Sequence, residues 1–193
     1  MAAPTHQILT VPRRPEFAKL LASDRAVKPW FIGQGKPYAA LVPKAGLTCG
    51  MDLNHKGQKL DDFVYNAMRW LIGSEKVRTV IAAEPGVEAV PLRIVDRKKK
   101  SVKARYFMVH PTGPEDCVDL QRSEITWSAM EPDTAHTITR LVLDPKRVPS
   151  LRSIFRIKEF PRAIIVRSDL VKRLEEAGAT GYRLLELDSE ILI

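Results

Sequence analysis

Six prolines, Pro4, Pro12, Pro15, Pro29, Pro37 and Pro43, fall within the first 58 residues beside Gly33, Gly35, Gly46, Gly50 and Gly57. Proline fixes φ and donates no backbone N–H, so this stretch is denied any long helix. Residues 1–58 therefore read as an irregular proline-rich segment ahead of an α+β unit over 59–193. Two short elements fit between the prolines. One is a helical segment over Pro15–Ala26 that turns Phe17, Leu20 and Leu21 inward, and the other a strand over Tyr38–Val42.

From Leu60 the pattern changes. Leu60, Val64, Ala67 and Leu71 recur at helical spacing, Phe63, Met68 and Trp70 widen the face, and Asp61 offers an N-cap, which predicts a helix ending at Gly73. Runs rich in β-branched and aromatic residues then follow over Val77–Ala82, Ala89–Val95, Ala104–Val109 and Asp116–Leu120. Turn residues separate them: Pro85-Gly86, the Asp96–Lys100 tract and Pro111-Thr112-Gly113-Pro114. Connections this short join antiparallel neighbours, because a parallel crossover needs about a dozen residues or more.

Further strands are expected over Ile138–Leu143, Ser153–Ile157, Ala163–Val166 and Tyr182–Leu187. A helix capped by Ser168, burying Leu170, Val171, Leu174 and Ala177 and closed by Gly178, precedes the last of them. The fold class is α+β, with a mostly antiparallel sheet and two principal helices packed against it.

The 193 residues hold 45% hydrophobic and 28% charged side chains, a globular composition. Lys and Arg exceed Asp and Glu by 31 to 23, a formal charge of +8 divided evenly between the two halves of the chain, and this favours acidic partners. Two cysteines cannot build a disulfide framework, and no segment reaches the roughly 18 apolar residues of a membrane span. The expectation is a cytoplasmic protein with no membrane partner.

Catalytic and metal signatures are weak. His6, His55, His110 and His136 are scattered, with no His-Glu-x-x-His or Cys-x-x-Cys, so no metal and no cofactor is assigned. His110 at a strand end, oriented by Asp116 or Asp119, is the one general-base arrangement worth naming, and an ordinary turn histidine explains it better. Cys117 lies among Glu115, Asp116 and Asp119, which oppose a thiolate, and Cys49 has no neighbouring base. Gly33-Gln34-Gly35-Lys36 lacks the spacing of a phosphate loop.

The densest charge run is Arg97-Lys98-Lys99-Lys100, with Lys103 and Arg105 beyond it. Placed between two strands, it would project as a hairpin and meet an acidic protein surface or phosphates, although a solvated tip is the plainer reading. Trp30 and Trp127, in less regular segments, are the aromatic candidates for anchoring a partner, against the commoner alternative of packing under a loop.

The ordered segments Val90–Ile94, Tyr106–Pro111 into Cys117–Asp119, Ser123-Glu124, Leu141–Asp144, Ile154–Ile157, Ile164–Leu170 and Gly178–Arg183 resemble immunity protein family eleven of bacterial polymorphic toxin systems, over about residues 77–187. The most specific block is the last: a Phe-Arg strand, an apolar strand ending in Ser-Asp, a helix, then Gly-x-Thr-Gly into a strand. The resemblance implies a non-enzymatic protein that binds and neutralises a cognate toxin, with no catalytic residues to carry over. Joined to the +8 charge, it implies a toxin with an acidic contact surface, or a binding site away from any phosphate cleft, with Arg97, Lys98, Lys99, Lys100 and Lys103 as the charged contact candidates and Trp30 and Trp127 as the aromatic ones. The alternative is a basic nucleic-acid-associated or regulatory module using the same hairpin, the weaker of the two because no RNA-binding or recognition-helix motif accompanies it. The apolar end at Ile191–Ile193 leaves self-association open as well.

Overall fold

A computed structural model describes residues 6–22, 35–37, 42 and 46–191. Among these, eleven strands form three sheets: β1 (His6–Thr10), β2 (Leu20–Ala22), β3 (Leu47–Met51), β4 (Ile72–Ser74), β5 (Val87–Val95), β6 (Tyr106–Pro111), β7 (Glu124–Trp127), β8 (Ala135–Arg140), β9 (Ile154–Arg156), β10 (Ile164–Arg167) and β11 (Arg183–Glu186). The helices are α1 (Glu75–Ile81) and α2 (Ser168–Glu176). One sheet has the order β11-β1-β10-β9, the second β2-β3-β5-β6-β4, and β7 and β8 form a separate ribbon. Every pairing is antiparallel except β3 with β5. The chain is α+β and strand-rich, as its pattern of short apolar runs requires.

The parallel pair is placed by two backbone constraints. Pro91 has no N–H to give a ladder, and β3 pairs only beyond it, Leu47 opposite Leu92 through Gly50 opposite Val95. Gly46, at φ +80°, makes the approach; a Cβ there would lie 2.5 Å from the Pro91 carbonyl oxygen.

Strand β6 is buried at all six residues, so both of its faces meet core. Met108 packs with Leu47, Ile72, Leu92 and Ile94 on one side. Val109 joins Val77 and Ile81 of α1, Leu170 and Leu174 of α2, and Leu9, Ile154 and Val166 of the first sheet on the other. A third cluster holds Ile8, Ile138, Phe155, Phe160 and Ile165.

Several expected elements are corrected. No helix spans Leu60–Leu71: Asn66, 4% exposed, takes the backbone groups a helix would need. Its Oδ1 accepts the Trp70 amide at 2.8 Å, and its Nδ2 donates to the Trp70 and Val64 carbonyls at 2.7 and 3.2 Å. Side-chain bonds of this kind compete with the helix ladder. Arg69 is pulled to φ 57° in the same turn, and Gly73 sits inside β4 instead of ending a helix.

The β-branched run Val77–Ala82 is helical, not a strand, because Val77 and Ile81, four residues apart, bury one face while Arg78 reaches Glu75 on the other. The helix expected from Pro15 gives way to β2 at Leu20, whose partner β3 offers a ladder, and residues 23–26 lie outside the described ones. Asp116–Leu120 makes only an isolated bridge, Val118 with Leu143. In α2, Ser168 is the first helical residue and Arg167 the capping position. Gly178 does end that helix, at φ 64°. Of the expected Tyr38–Val42 strand only Val42 is described. At the other end Ile191 donates its amide to Thr139 of β8 at 2.8 Å, and residues 192–193 lie outside the described set.

Two ties seat α2 and the Asn66 turn. Arg167 holds Asp169 through two bonds of 2.7 and 2.9 Å, and this contact keeps the Asp169 carboxyl down at about 2. A carboxyl depressed on folding stabilises fully above its ordinary value near ~3.9 and loses that contribution as pH falls towards its folded value. Asp169→Asn should therefore lower the urea midpoint at neutral pH, with the gap to wild type closing between about pH 5 and pH 2; a gap independent of pH would contradict this. Asn66→Ala, which orphans the buried Trp70 amide and carbonyl, should cost about 3 kcal/mol in the same measurement. A loss below about 1 kcal/mol would show that the turn holds without the clamp.

Candidate partner-binding surface

The basic tract is the turn between β5 and β6. Asp96 builds it: its Oδ1 accepts the amides of Lys98 and Lys100, each at 2.8 Å, while its own amide bonds the Lys100 carbonyl at 2.8 Å. Lys99 occupies the tip at φ 60°, and the ladder resumes where Val102 donates to Ile94 at 2.9 Å. Arg97 is fixed by a bond of 2.9 Å from its guanidinium to the Leu53 carbonyl. Arg97, Lys98, Lys99, Lys100 and Lys103 are all exposed, and an open recess of about 420 Å³ lies between Arg97, Lys98, Asp96 and Gln58.

None of the ammonium groups of Lys98, Lys99, Lys100 and Lys103 has an ion-pair partner among the described residues. Most arginines elsewhere do: Arg14 with Asp61, Arg147 with Asp144 and Asp116, Arg152 with Glu115, Arg173 with Glu84. The sequence-expected basic residues thus form one contiguous, pre-shaped cationic turn.

The tryptophans divide differently. Trp127 ends β7, is 46% exposed, and stands near the fully projecting Met130 at 91% in a turn that Ser128 closes by accepting the Met130 and Glu131 amides. It belongs to the β7–β8 ribbon and not to the sheet that carries the basic turn. Trp30 lies outside the described residues.

The general-base arrangement does not assemble. His110 is fully buried in β6, with Nε2 2.9 Å from the Lys36 carbonyl, and burial holds its pKa below the ordinary value. Asp116 pairs with Arg147 and Lys158, and Asp119 closes a turn by accepting the Gln121 and Arg122 amides at 3.1 and 3.2 Å. Both cysteines are buried free thiols that burial pushes up to about 12. Among the described residues no cluster of His, Cys, Asp and Glu could hold a metal ion, and no helix is long and apolar enough to cross a membrane.

The sequence model of the immunity protein family Imm11 matches residues 42–189. The chain belongs to this family. The match begins before β3 and ends after β11, so it covers the whole five-stranded sheet except β2 and takes in the basic turn and the β7–β8 ribbon. No curated protein matches the Imm11 chain.

Sequence reasoning missed the convergence of Arg69, Arg162 and His136, which line a second cleft. They come from three distant segments, and no local spacing signals their convergence. For the thiols the expectation is direct. Ellman's reagent at pH 8 should leave both cysteines of the native Imm11 chain unmodified and titrate two in denaturant, whereas rapid native reaction of either would contradict their burial.

Proposed function

We propose that this Imm11 chain is a non-enzymatic, cytoplasmic inhibitor that binds one cognate toxin of a polymorphic toxin system and blocks it by occupying its surface. Family membership carries the reading, and the cationic turn supplies the chemistry of contact. Lys98, Lys99, Lys100 and Lys103 lie exposed on a turn whose backbone Asp96 has already ordered, so little backbone entropy remains to be lost when an acidic partner docks. A stable complex would bury about 1,200–2,000 Å². Opposed charge would speed encounter and fix orientation more than it would add affinity. Trp127 and Met130 provide a separate apolar contact on the β7–β8 ribbon.

A nucleic-acid-associated module would use the same turn and is separated by its salt response, since phosphate binding weakens steeply as salt rises. Co-expression of the Imm11 chain with the toxin domain encoded beside it should rescue growth and give a co-purifying pair. Charge reversal by Lys98→Glu, Lys99→Glu and Lys100→Glu should slow association about tenfold. Absence of both rescue and complex with a toxin lethal on its own, together with salt-sensitive binding to single-stranded DNA, would instead establish the polyanion-binding module.

A further inference from the structure

The second cleft lies between β1, β8, Arg69 and the Phe160–Ala163 segment and has a volume of about 520 Å³. Its floor is apolar: Ile8, Phe160 and Ala163 belong to one core cluster and are each no more than 5% exposed. Its remaining side chains are cationic or neutral. Arg69, Arg162 and His136 are exposed, and among the described residues no carboxylate lines the cleft and none of these three side chains has an ion-pair or hydrogen-bond partner.

Elsewhere on the surface Arg140 and Arg122 reach Asp188 and Arg167 clasps Asp169, so those guanidinium groups are already paired while Arg69 and Arg162 are open to a carboxylate from outside. Arg69 is also deliberately held. The Asn66 clamp that replaces the expected helix fixes the turn around it, and Arg69 itself adopts φ 57°, a conformation a long side chain takes only under local constraint. The strain therefore sits at a residue whose side chain faces a cleft and has no bonded role in the described fold.

We propose that this cleft receives an acidic segment of the partner protein, with a carboxylate held by Arg69 and Arg162 and an adjoining apolar side chain seated against Phe160. The identification of that partner as the toxin rests on the function proposed above. Guanidinium is the group best matched to a carboxylate, through paired N–H donors. Its size and apolar floor suit a side chain in a pocket, whereas a nucleic acid strand needs a cationic track with aromatic platforms. The basic turn on the other sheet then acts in attraction and orientation, and the cleft in retention.

The test uses the full chain and two probes: a short fluorescein-labelled peptide of alternating glutamate and leucine, and the neighbouring toxin domain. Wild type should bind the peptide saturably, and the peptide should compete with the toxin. Arg69→Glu with Arg162→Glu should weaken both by at least about tenfold, chiefly through faster dissociation. The milder pair Arg69→Asn and Arg162→Gln, in which asparagine tolerates positive φ, guards against misfolding and should give a smaller loss in the same direction with an unchanged thermal melt. Reversal at Lys98, Lys99 and Lys100 should slow association of peptide and toxin alike and leave both dissociation rates unchanged. Peptide binding that survives both cleft variants, or displacement of the peptide by oligo-dT in preference to the toxin, overturns the proposal. If the peptide behaves as expected but wild type neither binds nor neutralises the toxin, the cleft stands as an acidic-segment site and the toxin reading is what fails.

Discussion

Strand β1 enters between β10 and β11 and so ties the first described residues of the chain to its last strands, with His6 opposite Arg167 and Gln7 opposite Glu186. Both of its faces are buried: Ile8 packs with Phe155, Phe160 and Ile165, and Leu9 with the helices and Val109. Burying two such side chains contributes about 3–6 kcal/mol, while ordering five backbone residues costs roughly 5–10 kcal/mol. The balance must come from ladder bonds on both edges, so β1 is ordered only once both neighbours are in place. Without it β11 has no partner in its sheet, and the floor of the Arg69–Arg162 cleft loses Ile8. Closure over so long a sequence separation also makes this a late, slow contact to form.

The parts of the fold legible in the sequence are those where one local rule acted alone. β5, β6, β9, β10 and β11 follow apolar alternation or runs bounded by turn residues, and α2 follows helical spacing closed by Gly178. Where a side chain or a distant partner competed, the local rule lost. Leu60–Leu71 has helical periodicity, yet Asn66 spends its amide on the Trp70 and Val64 backbone. Val77–Ala82 has the composition of a strand, yet Val77 and Ile81 need one buried face against α2, and the Glu75–Arg78 spacing was the signal that would have shown it. β1 and β2 carried too short a pattern to read, because their partners lie far away in sequence.

The candidate surface divides along the same line. The basic turn was visible as a charge run, and the structure adds that Asp96 shapes it. The cleft was not visible, since Arg69, His136 and Arg162 meet only through the fold. The net charge of +8 takes on a more specific meaning here. Many arginines are consumed in pairs that staple loops to sheets, as Arg152 does with Glu115 and Arg147 with Asp144 and Asp116. Of the described cations without an ion pair, Arg97, Lys98, Lys99, Lys100 and Lys103 stand on the β5–β6 turn and Arg69 and Arg162 line the cleft, while others such as Arg13, Lys146 and Arg183 are scattered, so the two places proposed for an acidic partner hold part of the surplus.

Both places, and the claim that an Imm11 chain works by surface occupation, meet in one measurement: amide hydrogen exchange of the full chain with and without the toxin domain proposed as its partner. The account requires added protection at residues 96–103, in the Asn66–Trp70 turn, along β8 and at residues 160–163, with the buried β6 unchanged. Protection confined to other surfaces, or none in a complex that still forms, would contradict it.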